Sequence, residues 1–241
     1  MYSEKRRSVA ILMRNNESSS ILRQRLQQTL VKGFSHAYAR VGVDPERYLR
    51  HVQNRHGLAI RSFADMSRVP LGRIDPIADC AIKASMRNAG LEGAGFGMGG
   101  FVLLGPDMGA LAVIVVRMLQ KLSLLHGFEY SSEEQSALLW LAAASAAGVD
   151  LGRDFIEKQA IERIVPRIIE RMAARMSAEM VEQWASRIVP VVSGALGAAL
   201  NYYFVRQWGH RAKEHFRQRH IAASTIDYRS GARESYRRPY A

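Results

Sequence analysis

A chain of 241 residues, 48% hydrophobic and with a formal net charge of +12, can bury one substantial core, and no long polar linker divides it. Its single cysteine, Cys80, excludes an intrachain disulfide, so the fold does not depend on an oxidising compartment. The apolar run Val9 to Met13 behind Lys5, Arg6 and Arg7 stops at Arg14, too short for the core of a secretion signal.

Helix signals then recur along the chain. Ser18 to Ser20 precede Ile21, Leu22, Leu26, Leu30 and Phe34, an apolar stripe at helical spacing. Asp44-Pro45 and Asp75-Pro76 each set a capping carboxylate before a proline that needs no partner for its missing N–H, and helices of about 12 and 16 residues should follow. Leu91 to Gly109 packs seven glycines into an apolar stretch whose only charges are Glu92 and Asp107. Gly105-Pro106-Asp107 opens a helix with Leu111, Ile114, Val115, Met118, Leu119, Leu122 and Leu125 on one face and Arg117 and Lys121 on another; Gly127 should end it. Ser131 and Glu134 form a capping box before the alanine-rich stretch Leu138 to Ala147, which reads as a buried helix.

From Asp150 the apolar positions Ile156 to Met176 mark a long helix with a kink expected at Pro166, and Ser177 should cap the next. Val191 to His220 reads as one helix, apolar first and basic later, before a Tyr/Arg-rich tail. The fold class is all-α: a multi-helix globular bundle with a glycine-rich apolar hairpin and a long C-terminal helix. Three parts are expected: a basic N-terminal helical extension (1–73), a helical domain (74–220) and a basic, disordered tail (221–241).

The excess charge is terminal. Residues 1–50 hold 10 Lys and Arg against 4 Asp and Glu, residues 51–205 hold 15 against 15, and residues 206–241 hold 9 against 3. A neutral, apolar middle between basic ends suits contact with an anionic surface, with anionic membrane lipid the expected partner. Along the long helix Arg163, Arg167, Arg171 and Arg175 recur every four residues, and Arg206, Arg211 and Lys213 extend the basic character into the C-terminal helix. The bland alternative for the row is a solvated face neutralised by Glu162, Glu170 and Glu179.

Gly95 to Gly100 satisfies G-x-G-x-x-G literally, yet helical residues precede it where a dinucleotide loop needs a strand, and Arg117 and Gln120 occupy the distal region where an acid should hold the ribose. Glycine weakens a helix, so this many call for close approach of another surface. Gly93, Gly95, Gly97, Gly99, Gly100, Gly105 and Gly109 are therefore candidates for helix packing or lipid contact, matched by Gly194 and Gly197 in VVSGALGAAL. Ile188 to Val205 reaches only the lower limit for crossing a bilayer, and Pro190 and Asn201 lower its apolarity, so interfacial insertion is the better reading than a single span. Glu92, Asp107 and Asn201 are the polar candidates; capping suits Asp107 and a core hydrogen bond suits Asn201. His36, His51 and His56 lack metal-ligand spacing, no catalytic motif appears, and no cofactor is expected. Tyr202, Tyr203, Phe204 and Trp208 lie beside an apolar segment, not among arginines, so nucleic acid is not an expected partner.

EGAGFGMGG, then PDM, then HGFEYSSEE and finally IVPVVSGALGAALNYYFVRQWGHRAKEHFRQR together resemble the EcsC protein family over about Ile74 to Arg219, with Pro190, Gly194 to Ala199 and Asn201 the most specific part. His126 stands where that pattern suggests Tyr, and His220-Ile221-Ala222 replaces a basic-acidic run. The resemblance implies a helical, membrane-associated accessory protein, mostly bacterial, without an established catalytic mechanism. It implies a cytoplasmic place beside the inner membrane and a transporter or secretion component as a further partner. The residues themselves leave two other classes open: a hydrolase acting on a lipid-like substrate, and a soluble helical interaction module.

Overall fold

The computed structural model describes residues 2–60, 62–96, 104–130, 132–149, 161–185 and 194–235. The chain forms α1 (Tyr2–Arg40), α2 (Pro45–His56), a 3-10 turn (Phe63–Arg68), α3 (Leu71–Phe96), α4 (Leu104–Leu125), α5 (Glu133–Ala146), α6 (Ile161–Ala185) and α7 (Gly194–Ser235). No strand occurs among the described residues, so the protein is all-helical.

Where the backbone signal is local, it holds. Asp44 caps α2, its carboxylate accepting from the Arg47 N–H at 2.9 Å with Pro45 in the first turn. Gly127 ends α4 at φ 85°, a conformation that favours glycine, and a Cβ there would meet Ser67 N at 3.2 Å. Other signals yield to their surroundings. The serines at 18–20 lie inside α1, which begins earlier, at Tyr2. α3 starts one turn before Asp75, on the Pro70 carbonyl, which accepts from Arg73 N at 2.8 Å, so Pro76 sits inside the helix and Asp75 is free for another task. The α5 capping box is displaced by one residue: Ser132 accepts from Gln135 N at 3.2 Å and donates its own N–H to Gln135 Oε1 at 3.1 Å. Ser177 caps nothing; it is buried within α6 and donates to the Ala174 carbonyl at 3.0 Å.

The most extensive helix pairing is α3 with α7, and α4 lies against both, while α5 joins α6 to α7. α1 packs on α4 and α6 and places Leu26, Leu30, Phe34 and Ala37 in the same core as Trp140, Met172 and Trp208. Helices on both sides of residue 73 share this core, and α7 continues past residue 220 to Ser235. Gly209 marks the closest approach: a Cβ there would stand 2.8 Å from Ile82 Cγ2 and 3.0 Å from Met118 Sδ, so α7 meets α3 and α4 where only glycine fits without a shift. Among the described residues no helix is long and apolar enough to cross a membrane.

Candidate anion-binding cleft

A cleft of about 540 Å³ opens between α2, α3 and α4, with α7 closing one end. α2 presents Tyr48, His51 and Arg55 at three- and four-residue intervals, the spacing that puts side chains on one helix face. α3 does the same with Cys80, Lys83, Ala84 and Arg87, α4 contributes Lys121, and α7 contributes Tyr202. His56 and apolar Val52, Ile77 and Ala81 complete the lining, and it contains no carboxylate.

Some cations are paired along their helices, Arg50 with Glu46 at 3.2 Å and Arg175 with Glu179 at 3.1 Å. Among the described residues Arg55, Lys83, Arg87 and Lys121 have no ion-pair partner. Lys121 is half-buried, and burial followed by repulsion from Arg117 lowers its pKa below the ordinary lysine value. Its ammonium lies 5.9 Å from the centre of the Tyr48 ring, and burial pushes the Tyr48 hydroxyl pKa up.

The cleft's shape is fixed from behind by Gln120, the neighbour of Lys121. Gln120 Oε1 accepts from Val43 N at 3.1 Å and its Nε2 donates to the Val41 carbonyl at 2.9 Å, while the Tyr130 hydroxyl donates to the Val43 carbonyl. The loop into α2 is thereby tied to α4, which sets His51 and Arg55 opposite Lys121. Satisfying these partly buried backbone groups matters, because an orphaned group costs up to about 1–3 kcal/mol when fully buried.

A second polar cluster joins α3 to α7 and spends its charge internally. Lys213 Nζ donates to Asp79 Oδ1 at 2.8 Å and lies 3.5 Å from Asp75 Oδ1, and Arg217 Nε lies 3.5 Å from Asp75 Oδ2. Lys213, singled out from the sequence as an anionic-surface candidate, serves in the structure as the counter-ion of two aspartates. Arg211, exposed on α7, donates to the Ala146 carbonyl at 3.4 Å. Beside the cluster lies His126, buried, with Nδ1 donating to the Leu122 carbonyl at 2.7 Å and Nε2 buried without a hydrogen bond. Desolvation lowers its pKa to about 4, only partly offset by that bond, so the ring is neutral at physiological pH.

The other residues singled out from the sequence are dispersed. Gly93 and Gly95 stand with Glu92 on the last turns of α3, Gly105 and Asp107 at the start of α4, and Gly194 and Gly197 in the first turn of α7. Gly97, Gly99 and Gly100 lie outside the described residues, as do the side chains of Glu92, Asp107 and Arg163. Gly109 has no described atom within 4 Å of where its Cβ would be. At Gly90 a Cβ would stand 3.8 Å from the Ala198 carbonyl and from the Tyr202 ring, an ordinary packing distance between α3 and α7. Asn201 is buried in α7, and Arg167, Arg171, Arg175 and Arg206 are exposed. Among the described residues no cluster of His, Cys, Asp or Glu is set to hold a metal.

The fold and cleft define an all-helical protein with a basic surface pocket and no assembled catalytic group among its described residues. The sequence model of the EcsC protein family matches residues 15–221, and the chain belongs to that family. The match starts well before Ile74, in keeping with the place of α1 and α2 in the core. No curated protein and no solved structure matches the chain.

Proposed function

We propose that this EcsC-family protein is a peripheral membrane protein that docks on anionic lipid with the end of the bundle where α3 finishes and α7 begins. The observation that carries this reading is the grouping of large exposed apolar side chains there. Leu91 is 74% exposed, Tyr202 43% and Tyr203 46%, and a Cβ on Gly90, next to Leu91, would stand 3.8 Å from the Tyr202 ring. Tyr202 also lines the cationic cleft, so apolar and basic surfaces adjoin. Aliphatic and aromatic side chains beside Lys and Arg are what a helix lying in a headgroup layer presents. Lys83, Arg87 and Arg206 supply attraction of about 1 kcal/mol each near an anionic leaflet, where the basic chain ends add theirs.

Flotation with liposomes tests the reading. The protein should float with vesicles containing phosphatidylglycerol and remain behind with phosphatidylcholine alone. Leu91→Ser/Tyr203→Ser should weaken partitioning by about tenfold or more, since burying a leucine side chain stabilises by about 1.5–3 kcal/mol. Absence from both floated fractions would contradict it.

A further inference from the structure

We propose that the cleft between α2, α3 and α4 is a binding site for a phosphate monoester, carried either on a small soluble molecule or on a lipid headgroup. The inference goes beyond membrane docking and rests on the cleft alone.

Three observations converge on it. Arg55, Lys83, Arg87 and Lys121 reach one concavity from three helices, and none of them has a carboxylate partner among the described residues. Mutually repelling cations are held together at a cost, which a bound anion relieves; half-buried Lys121 attracts an anion more strongly than it would in water, while Arg55, Lys83 and Arg87 are exposed and free to close on it. A phosphate monoester suits the set better than a carboxylate, because it offers about two negative charges and three acceptor oxygens, enough for several charge-assisted hydrogen bonds at once. The remaining volume of about 540 Å³ and the apolar floor of Val52, Ile77 and Ala81 leave room for the body that carries the phosphate. His51, with Tyr48 and Tyr202, adds polar groups at the walls.

The cleft contains its own reporter. Cys80 is exposed, is the only cysteine, and lines the cavity, so a bound phosphate should slow its alkylation. The test measures the rate of Cys80 alkylation in the full chain at constant ionic strength against inorganic pyrophosphate, and separately against vesicles of phosphatidylcholine with phosphatidic acid. Saturable protection is expected. Lys83→Gln/Arg87→Gln should weaken it by about tenfold or more, as should Lys121→Met, whereas Arg23→Gln/Arg25→Gln, the same loss of charge on exposed α1 positions, should leave it unchanged. Protection by pyrophosphate assigns the site to a soluble phosphate; protection by phosphatidic acid vesicles alone assigns it to a lipid headgroup. No protection by either probe, or equal weakening in the cleft and α1 variants, would overturn the proposal. Leu91→Ser/Tyr203→Ser separates the two readings, since it should abolish flotation yet leave pyrophosphate protection intact.

Discussion

Phe34→Ala is expected to lower the unfolding free energy of the whole molecule by about 3–5 kcal/mol, the cost of truncating a fully buried aromatic residue. Phe34 is 0% exposed and meets Trp140 of α5 edge to face, ring centres 6.1 Å apart at 85°, while Tyr38 approaches the same ring at 5.7 Å. The variant distinguishes an integral α1 from an appended one. Trp140, Trp184 and Trp208, the only three tryptophans, all follow residue 73, so their fluorescence in urea reports on the remainder of the chain. If α1 belongs to the core, the midpoint of that fluorescence transition falls; if α1 is an independent extension, it stays where it is.

Acidification from pH 7.5 to 4 is expected to remove about 3 kcal/mol of stability through His126, at about 1.4 kcal/mol for each unit separating the folded value from the unfolded one. The sign follows from the direction of the shift. The unfolded ring protonates near pH 6.5, whereas the folded ring resists until about pH 4, so between those values the unfolded state binds more protons and is favoured. The loss therefore develops below pH 6.5 and levels off below pH 4. The groups acting on the ring are Asp75 of α3, which favours its charge, and Lys213 and His220 of α7, which oppose it, but burial dominates. His215, lowered in the same direction by burial and then by Arg219, adds to the effect with the same sign. Urea midpoints across this range should show a shallower pH slope in His126→Phe, which keeps a ring against Phe216 at 6.1 Å. An identical slope in the variant and the parent protein would contradict the assignment.

What could be read in the sequence, and what could not, follows the range of the interactions. The helical class, the Asp44-Pro45 start and the Gly127 stop depend on residues within one turn of each other, and all three appear in the structure. Asp75-Pro76 carries the same local signature as Asp44-Pro45, but Pro70 supplies an earlier first turn and Lys213, 138 residues away, claims the aspartate. Ser18 to Ser20 and Ser177 fail as boundaries because the flanking residues continue a helical stripe into the core, and packing outweighs the weak preference of serine for caps. Gly209, which the sequence did not single out, is where α7 comes closest to Ile82 and Met118 among the glycines whose surroundings are described, and which glycine faces a partner is fixed only by the tertiary arrangement.

The cleft was hidden for an instructive reason. Counting charge over 51–205 gives 15 against 15, a neutral block, yet Arg55, Lys83, Arg87 and Lys121 fall on one side of the fold while the carboxylates lie elsewhere. The i, i+4 spacings of His51 with Arg55 and of Lys83 with Arg87 were the available signal, obscured in the second case by Asp79, four residues before Lys83, which Lys213 takes at 2.8 Å. That three helices bring these faces together is a property of the bundle, and the Gln120 tie that aligns α2 with α4 spans 77 residues.

The central claim, that one end of this bundle meets lipid, is tested most directly by immersion depth. In a Cys80→Ser background, nitroxide labels at Leu91→Cys and at Gly72→Cys stand near opposite ends of α3, about 28 Å apart at 1.5 Å per residue. On adding phosphatidylglycerol vesicles, the label at 91 should lose collisions with a water-soluble nickel chelate and gain collisions with oxygen, while the label at 72 should not change. A label at 91 that remains as accessible to the chelate with vesicles as without them would contradict the account.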